Sequence, residues 1–403
     1  MAPGRFAGYK TTLIMLLPTQ QVAIVGGGPG GLTLANLLQQ AGLMVRVYER
    51  DIDRNARVQG SPLDLHEESG LAALRKAGLM DAFKTHFMPD ADHTVIMNPD
   101  AEVVFSNSED KRPGFGDAGF RPEIDRGALR NILLDALHPE TVVWNRHLRS
   151  MTPQGAGWQL QFEEQDAVYA DFVVGADGAR SKIRPYLTDS QAFYSGITMI
   201  EGLIEDAAEK IPFLYTVLRG GKIMGFGDGI NILMGQKEAG AVGFYFSFKA
   251  DKQWVSTSGL SLNNRNQLLQ WFKSRYTGWN PVWQELLEQT ALPLIPRPIY
   301  CIPPDQTWPA QANLTLMGDA AHVMPPFAGE GVNMAMRDAL ELAAALTSGT
   351  DSSPATAIAA YETSMRSRSA EKALESLQNG ERMHSETALD TMTAFFKGTV
   401  AIQ

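Results

Sequence analysis

The sequence predicts an α/β fold with a parallel sheet at its centre, and three segments predict it. Residues 21–50 run in order through an apolar strand, a glycine-rich turn, an amphipathic helix and a second apolar strand. Residues 171–175 and 314–317 are two further short apolar runs, and each leads into a carboxylate beside a glycine. Short apolar runs bounded by glycine turns are typical of parallel strands, because both faces of a parallel sheet are covered.

The turn after the first strand reads GGGPGG at residues 26–31 and contains the pattern G-x-G-x-x-G. Gly26 allows a tight turn, Gly28 lets the backbone approach a pyrophosphate, and Gly31 lets the helix pack closely on the strand. The first turn of the helix offers free N–H groups and the positive end of the helix dipole, and both attract a pyrophosphate. These features favour a Rossmann-type dinucleotide site over a glycine-rich turn without a ligand.

The second strand, at residues 44–48, ends in Glu49. A carboxylate at this point is placed to accept hydrogen bonds from the ribose of a dinucleotide, and it disfavours an adenosine that carries a 2′-phosphate. The motif by itself leaves both FAD and NAD as candidates for the dinucleotide.

Composition and charge exclude several classes of protein. The chain has 403 residues, which predicts two or three domains, and its hydrophobic (44%) and charged (20%) fractions are typical of soluble globular proteins. The net charge of −10 argues against nucleic acid as a partner, because it repels phosphate backbones. The single cysteine, Cys301, cannot form an internal disulfide, and no residues have metal-ligand spacing. We therefore expect no metal and a reducing, cytoplasmic setting.

The N-terminal residues only superficially suggest a signal peptide. The apolar residues 13–17 follow Arg5 and Lys10, but the run is short and no small-residue cleavage site follows it. No stretch of the sequence approaches the ~18 apolar residues that a membrane span needs. Met15 is a candidate natural start, with residues 1–14 as an upstream extension.

Three motifs together resemble the fingerprints of a known family. They read GGGPGG at residues 26–31, GADGARSKIR at 175–184 and GDAAHVMPPFAGEGVN at 318–333. The sequence resembles the single-component, class A flavoprotein monooxygenases, which have the para-hydroxybenzoate hydroxylase fold. The resemblance implies FAD as the dinucleotide, NADPH or NADH as co-substrate, and transfer of an oxygen atom from O2 to a small molecule through a C4a-hydroperoxyflavin. It implies no protein nucleophile, so no catalytic residue is certain.

The resemblance also implies which residues hold the FAD. The second motif would lie near the pyrophosphate, and Asp319 would contact the ribityl chain and the pyrophosphate. Pro326, Phe327 and Gly329 would flank the flavin ring. His322 is open to either a catalytic or a structural role. The implied cofactor-binding residues are Gly26, Gly28, Pro29, Gly31, Glu49, Arg50, Arg57, Asp64, Arg126, Asp177, Gly178, Asp319, Pro326, Gly329, Gly331, Val332 and Asn333.

Within that family, residues 59–79, 121–137 and 324–333 look most like the tetracycline-inactivating branch, the tetracycline destructases. The C-terminal Asn379 and Met383 also match that branch. The implied substrate-contacting residues are Glu201, Lys222, Met224, Phe327 and Met383. The chain departs from the branch at three pocket positions, where Glu201, Lys222 and Gly243 stand in place of Gln, Arg and His.

The activity implied is hydroxylation of a phenolic or polycyclic compound, with tetracycline inactivation favoured. The alternatives are a hydroxylase of another aromatic or polyketide compound, a flavin-dependent reductase, and a non-enzymatic protein that binds a drug or flavin. We expect a monomer whose partners are the small-molecule substrate and O2.

The implied architecture is a Rossmann-type FAD-binding domain, a β-sheet substrate domain and a long C-terminal helix. The FAD-binding domain would comprise residues 18–82, 116–185 and 292–345. The substrate domain would comprise residues 83–115 and 186–291, and the helix residues 354–397. Apolar residues alternate along the strands predicted for the substrate domain, so they either line a pocket or form plain core; they are Met224, Phe226, Met234, Phe244 and Phe246.

Overall fold

The structure is a computed structural model that describes residues 20–56, 62–107, 114–117, 119–349 and 353–398. The predictions for Met15 and Arg57 fall outside these residues. The strands are β1 (Gln21–Val25), β2 (Met44–Tyr48), β3 (Leu63–Asp64), β4 (Phe87–Met88), β5 (Thr94–Met97), β6 (Val103–Ser106), β7 (Glu123–Ile124), β8 (Val142–Val143), β9 (Leu148–Gln154), β10 (Gly157–Phe162), β11 (Val168–Ala170), β12 (Phe172–Gly175), β13 (Phe193–Ile204), β14 (Lys222–Gly227), β15 (Ile230–Gln236), β16 (Val242–Lys249), β17 (Ile295–Cys301) and β18 (Leu314–Leu316). The α-helices are α1 (Pro29–Gln40), α2 (Gly70–Lys76), α3 (Met80–His86), α4 (Arg126–Asp135), α5 (Ala207–Lys210), α6 (Pro212–Leu218), α7 (Trp254–Thr257), α8 (Arg265–Arg275), α9 (Glu285–Gln289), α10 (Asp319–His322), α11 (Gly331–Thr347), α12 (Pro354–Met383) and α13 (Ala388–Phe396).

A parallel sheet forms the centre of the first unit. Its strands lie in the order β18-β12-β1-β2-β8, and every neighbouring pair is parallel. Apolar residues of α1 and α11, among them Leu32 and Leu342, share one buried core with this sheet. Because covered faces on both sides require apolar strands, the short apolar runs in the sequence correspond to β1, β12 and β18. The predicted α/β fold class is confirmed.

A second sheet, mostly antiparallel, has the order β17-β13-β16-β15-β14-β5-β6. Successive side chains along each of its strands point to opposite faces of the sheet. Met234, Phe244 and Phe246 point into a core with the aromatic residues of α8 and its following turn, so these three are plain core. Met224 and Phe226 belong to the other face, in an apolar cluster with the C-terminal helices. Of the two roles predicted for this group, plain core applies to Met234, Phe244 and Phe246, and lining a pocket stays a prediction for Met224 and Phe226.

The structure differs from the predicted boundaries at two places. β17 lies at the edge of the second sheet, paired with β13, although the sequence places residues 292–345 in the FAD-binding domain. The predicted helix over residues 354–397 is two helices, because α12 ends at Met383 and α13 begins at Ala388. α12 ends at His384, whose φ of −112° and ψ of 24° are not helical and whose ring accepts hydrogen bonds from Asn231 and Ser247 of the second sheet. No helix in the described residues is long and apolar enough to cross a membrane.

Candidate cofactor and substrate site

Three loops meet at the carboxyl edge of the parallel sheet. The glycine loop follows β1, Asp177 follows β12, and Asp319 follows β18, and these strands are parallel neighbours. Open α/β sheets bind their ligands beyond the carboxyl ends of the strands. The three sequence motifs, which are separated by up to about 300 residues in the chain, therefore share one cleft.

The first loop requires glycine at two positions and leaves open space at a third. Gly26 has a φ of +114°, and a Cβ there would lie 2.1 Å from the Ala176 carbonyl oxygen. A Cβ on Gly31 would lie 2.2 Å from the Gly26 carbonyl oxygen. A Cβ on Gly28 would have no atom within 4 Å, and α1 begins there without a side-chain cap on its amides. Open space beside uncapped N–H groups fits the phosphates of a dinucleotide.

Glu49 is buried beneath this loop. Its carboxylate accepts hydrogen bonds from Gly27 N at 2.5 Å and from Asp51 N at 3.0 Å. The side chain therefore braces the loop from below, in addition to the ribose contact that the sequence predicts. Arg50, the next residue, is exposed.

The second motif places a carboxylate with a spare oxygen against the glycine loop. Asp177 Oδ2 accepts a hydrogen bond from Lys182 N at 2.6 Å. Its Oδ1 is buried and has no hydrogen-bond partner among the described residues. Burial raises the pKa of this carboxyl. A buried polar oxygen without a partner is costly, so a ligand donor at this position would stabilise it.

In the third motif Asp319 begins α10 and is open to solvent in the cleft. Loss of water around the carboxyl raises its pKa, whereas the positive charges of His322 and Arg126 tend to lower it. Arg126, the first residue of α4, therefore lies near Asp319 although the two are 193 residues apart. The predicted cofactor residues of α4 and of the third motif thus come together.

His322 is buried and structural in its contacts. Its Nε2 lies 2.6 Å from Asp338 Oδ2, which also accepts a hydrogen bond from Gly318 N at 2.9 Å. Asp338 Oδ1 accepts from Arg368 of α12 at 2.8 Å. Asp338 raises the pKa of His322 despite the opposing effect of burial. Of the two roles left open by the sequence, this geometry supports the structural one.

The loop predicted to flank the flavin is held by Asn333 and α12. Asn333 Oδ1 accepts hydrogen bonds from His66 N at 2.9 Å and Ser69 Oγ at 3.1 Å, and its Nδ2 donates to Asp64 O at 2.9 Å. Asn379 Nδ2 of α12 donates to Phe327 O at 3.2 Å. The amide of Asn333 is therefore used within the protein, where it ties residues 64–70 to the start of α11.

Next to that loop lies a cavity of about 360 Å³. Pro325 and Phe327 form one wall, Ile197 of β13 a second, and Gly380 of α12 a third. A Cβ on Gly380 would lie 2.8 Å from the Phe327 ring, so glycine is needed for α12 to approach the loop this closely. The cavity connects the C-terminal helix with the predicted substrate face of the second sheet.

The predicted substrate residues share one face of the second sheet. Glu201 pairs with Tyr245 across β13 and β16, and Gly243 lies two residues from Tyr245 on the same face. Gly235 pairs with both Gly243 and Lys222. Because directly paired residues point to the same side of a sheet, Glu201, Lys222 and Gly243 lie on the same face of the second sheet. Met224, Met383 and Phe327 lie together in the apolar cluster on this face.

The two charged residues predicted to contact substrate, Glu201 and Lys222, have partners that the sequence did not predict. Glu201 Oε2 lies 2.8 Å from Arg297 Nε, and its Oε1 accepts from the Tyr245 hydroxyl at 3.3 Å. Lys222 Nζ lies 2.6 Å from Glu123 Oε1. Burial alone would lower the pKa of Lys222, but the Glu123 charge raises it above its ordinary value.

These partners come from distant parts of the chain. Arg297 belongs to β17, outside the matched segments, and Glu123 belongs to β7, inside the segment 121–137. Strand register is the signal that would have found Arg297, since Glu201 lies opposite Ile295 on β17. Glu123 reaches Lys222 from a different sheet, so no strand pairing indicates that contact. The charge of Lys237 is also near Glu201 and Arg126, so it links the second sheet to α4. Among the described residues, no group of three or more His, Cys, Asp or Glu side chains could hold a metal ion.

The imidazole of His384 is neutral and connects the end of α12 to the second sheet. Its Nδ1 donates to Gly380 O at 2.7 Å, while its Nε2 accepts from Ser247 Oγ at 2.7 Å and Asn231 Nδ2 at 3.0 Å. Burial lowers the pKa of this imidazole to about 4. The folded protein thus keeps His384 neutral at a pH where an unfolded chain protonates it.

This histidine predicts a loss of stability in mild acid. As pH falls from 6.5 towards 4, the unfolded chain gains a proton that folded His384 resists, so the free energy of unfolding falls by up to about 1.4 kcal/mol per pH unit. We expect the thermal midpoint of the wild type to drop more steeply between pH 7 and pH 5 than that of His384→Gln. Parallel curves for the two proteins would contradict this assignment.

Comparison with known proteins identifies the family of this chain. The model of the FAD binding domain family matches residues 19–200 and 308–376, which is more than half of the chain. The chain belongs to this family. The matched residues include the glycine loop, Asp177 and Asp319, which agrees with the open space and spare oxygen found at that edge of the sheet. FAD is therefore the dinucleotide of this fold, and the alternative of NAD at the glycine loop is set aside.

Relatives in sequence have one enzyme class in common. Monooxygenase asqM of Emericella nidulans is 28% identical over 376 residues, covering 80% of this chain and 83% of that protein. The aurachin C monooxygenase/isomerase of Stigmatella aurantiaca is 29% identical over 328 residues, covering 81% of this chain and 80% of that protein. Together with the family match, these relatives confirm the prediction of an FAD-dependent monooxygenase.

A solved structure shows the same fold. Klebsiella pneumoniae HpxO, complexed with FAD and uric acid, superposes with a TM-score of 0.74 at 21% identity, covering 95% of this chain and 93% of that one. This likeness shows that the two units of this chain have the same fold as that protein. Tetracycline destructases also have this fold, but at 16% identity they indicate the fold alone.

Proposed function

We propose that this monooxygenase hydroxylates a planar phenolic or polycyclic compound, with NADPH or NADH as reductant, and that tetracyclines are the first substrates to test. The observation that carries the proposal is the cavity beside the loop at residues 325–331, whose wall includes Ile197 of β13, on the sheet face that also carries Glu201 and Lys222. Bound FAD would supply the reduction of O2 and the activated oxygen. The substrate would lie between that loop and the strands that carry Glu201 and Lys222.

The floor of this cleft supports a flat substrate. Gly235 and Gly243 are directly paired in neighbouring strands, so two adjacent positions of the cleft face have no side chain. A Cβ on Gly235 would have no atom closer than 3.8 Å. In this row of paired residues Lys222 lies beside Gly235 at one end and Leu203 beside Gly243 at the other, and Tyr245 lies two residues further along β16 on the same face. A ring system can rest on the backbone there, with hydrogen-bonding groups at its edges.

The charged residues would orient the substrate and not attack it. Lys222, kept protonated by Glu123, can donate a hydrogen bond to a phenolate or enolate oxygen. A phenolate is more electron-rich than a phenol, so this contact would favour oxygen transfer to the ring. Phe327, Met224 and Met383 would cover the apolar part of the substrate and exclude water.

The test uses FAD-loaded protein mixed with NADPH, air and a tetracycline. We expect loss of the drug chromophore together with NADPH, and a product 16 mass units heavier, which is the mass of one oxygen atom. A product two mass units heavier would indicate a reductase, and tight binding without NADPH loss would indicate a binding protein. NADPH loss with peroxide release and an intact drug would retain the enzyme class and move the search to other phenols.

A variant of this face gives a sharper version of the experiment. Gly235→Leu places a side chain above β15, where a Cβ would have no atom closer than 3.8 Å, and should lower product formation about tenfold or more, while FAD content and substrate-free NADPH oxidation stay near wild type. Gln161→Leu is the matched control, because it places the same side chain at an exposed strand position of β10. Equal product from both variants would mean that the substrate does not rest on this surface.

A further inference from the structure

Four ionisable side chains form a chain of contacts beneath the loop at residues 325–331. Lys372 Nζ of α12 lies 2.9 Å from Glu330 Oε1. Glu330 Oε2 lies 3.6 Å from His66 Nδ1, and His66 Nε2 lies 3.0 Å from Asp64 Oδ2. The series therefore runs from the surface of the C-terminal helix to the cleft.

The middle of this series is buried and its ends are open. His66 is 2% exposed and Glu330 is 5% exposed, whereas the side chains of Lys372 and Asp64 are 29% and 26% exposed. At the inner end, a Cβ on Gly329 would lie 3.2 Å from Asp64 Oδ1. Asp64 is thus directly beside the loop predicted to flank the flavin. Ionisable groups are costly to bury, so an unbroken series of them through the protein is unusual for a merely structural contact.

The backbone around His66 is fixed while its ring keeps both nitrogens available. Asn333 Oδ1 accepts from His66 N, and Asn333 Nδ2 donates to Asp64 O. Among the residues that the structure describes, the ring nitrogens face two carboxyls, with Glu330 on one side and Asp64 on the other. An imidazole in this position can gain a proton at one nitrogen and release another proton from the second.

The charges around this histidine come from several elements. Asp64 lies on its own segment, Glu330 lies before α11, and Lys372 of α12 acts on it through Glu330. Lys222 of β14 and Arg121 act on Asp64. Burial tends to raise the pKa of Asp64, but the hydrogen bond and charge of His66, with these two cations, lower it overall.

We propose that His66 relays the proton consumed in hydroxylation, gaining it at Nδ1 from Glu330 and releasing one from Nε2 to Asp64. The proposal rests on the proposed function. Conversion of C–H to C–OH consumes O2, one NADPH or NADH, and one proton. It releases the oxidised nicotinamide and water. One proton must therefore enter the cleft in each turnover. In the relay, an N–H bond of Lys372 breaks as O–H forms on Glu330, that O–H bond breaks as N–H forms at Nδ1, and the Nε2–H bond breaks as O–H forms on Asp64, which passes the proton to the cleft. Lys372 regains its proton from solvent. A half-turn of the ring then directs the protonated nitrogen to Asp64 and the bare nitrogen to Glu330, ready for the next proton.

One contact has to shorten for this transfer. The 3.6 Å between Nδ1 and Glu330 Oε2 exceeds a hydrogen bond by about 0.6 Å, a distance within the reach of side-chain motion. The other two contacts are already at hydrogen-bond length. His66 is accordingly a positioning and relay residue that acts on the cleft through Asp64.

The kinetic test compares His66→Gln with His93→Gln, both FAD-loaded. His93 is the matched control because it is 3% exposed and hydrogen-bonds Leu218 O and Ser106 Oγ, in the second unit and away from the series. We expect His66→Gln to lower kcat about tenfold or more with unchanged KM and FAD content, to flatten the pH profile, and to recover in part with added imidazole. We expect His93→Gln to keep the wild-type kcat and pH profile.

A second readout does not depend on turnover. In FAD-free protein with ¹⁵N-labelled histidine, Glu330→Gln should shift the Nδ1 signal of His66, and Asp64→Asn should shift its Nε2 signal. His66→Gln with wild-type rate, pH profile and solvent isotope effect would overturn the relay, as would a His66 ring signal unchanged by Glu330→Gln. A wild type that hydroxylates no compound would overturn the proposed function instead, and the ring signals would still report whether His66 joins the two carboxyls.

Discussion

Gly26→Val should abolish FAD binding by destroying the first loop. The φ of +114° at this residue is strained for any side chain, and a Cβ there would lie 2.1 Å from the Ala176 carbonyl oxygen. The cost of the strained backbone alone is about 1–3 kcal/mol, and the contact adds to it because both atoms belong to rigid backbone. We expect a purified variant without yellow colour and with a thermal midpoint at least about 5 °C below that of FAD-free wild type.

Gly28→Ala is the matched control for this loop. Gly28 has a φ of −80°, which any residue adopts, and a Cβ there would have no neighbour within 4 Å. The FAD-free variant should therefore unfold at the wild-type temperature, while the new methyl group occupies space beside the uncapped amides of α1 and weakens FAD. Two variants with the same loss of stability would show that open space at Gly28 is not kept for a ligand.

The second large effect is expected at Asp338. Replacing it with asparagine removes the charge that pairs with His322 and Arg368, and places an amide N–H₂ against donors that now approach it. Breaking a buried ion pair in this way costs about 3–5 kcal/mol, because the remaining charges stay buried. Urea unfolding of FAD-free Asp338→Asn should show this loss. Glu341→Gln, which changes the more exposed partner of Arg368, should cost less than about 1 kcal/mol.

The loss at Asp338 should depend on pH in a defined direction. His322 and Arg368 lower the pKa of Asp338 below its ordinary 3.8 despite its burial. Its contribution to stability is therefore fully present above pH 3.8 and is lost as pH falls through the lowered pKa. The difference between wild type and Asp338→Asn should be large at pH 5–6 and should shrink below pH 3.8. A difference that grows in acid would contradict the ion pair.

Much of the fold could be predicted because local patterns and local structure agree. The apolar runs at β1, β12 and β18 and the glycine loop between β1 and α1 lie where the sequence places them. Pro354 begins α12, as proline at a first helical position favours. The end of that helix could not be predicted, because His384 is held by Ser247 and Asn231, which lie more than 130 residues earlier.

The electrostatic contacts of the site also divide into those that the sequence could predict and those that it could not. Glu201 and Lys222 were identified by resemblance, but Arg297 meets Glu201 through the pairing of β17 with β13, and Glu123 meets Lys222 from a different sheet. β17 joined the second sheet, against the predicted boundary, because its pairing with β13 satisfies backbone groups that no local pattern reveals. Site residues assigned only by resemblance remain predictions, and the variants above test them.

The sequence alone determined that this protein has an α/β fold with a dinucleotide loop, since turns, strands and glycine requirements follow from neighbouring residues. Tertiary structure decided which residues lie opposite one another. The pairing of β15 with β16 placed Gly235 beside Gly243, and the packing of α12 on the loop joined Lys372 to His66 through Glu330. Such contacts join residues far apart in the chain, and their energies depend on burial and distance, which exist only once the chain has folded.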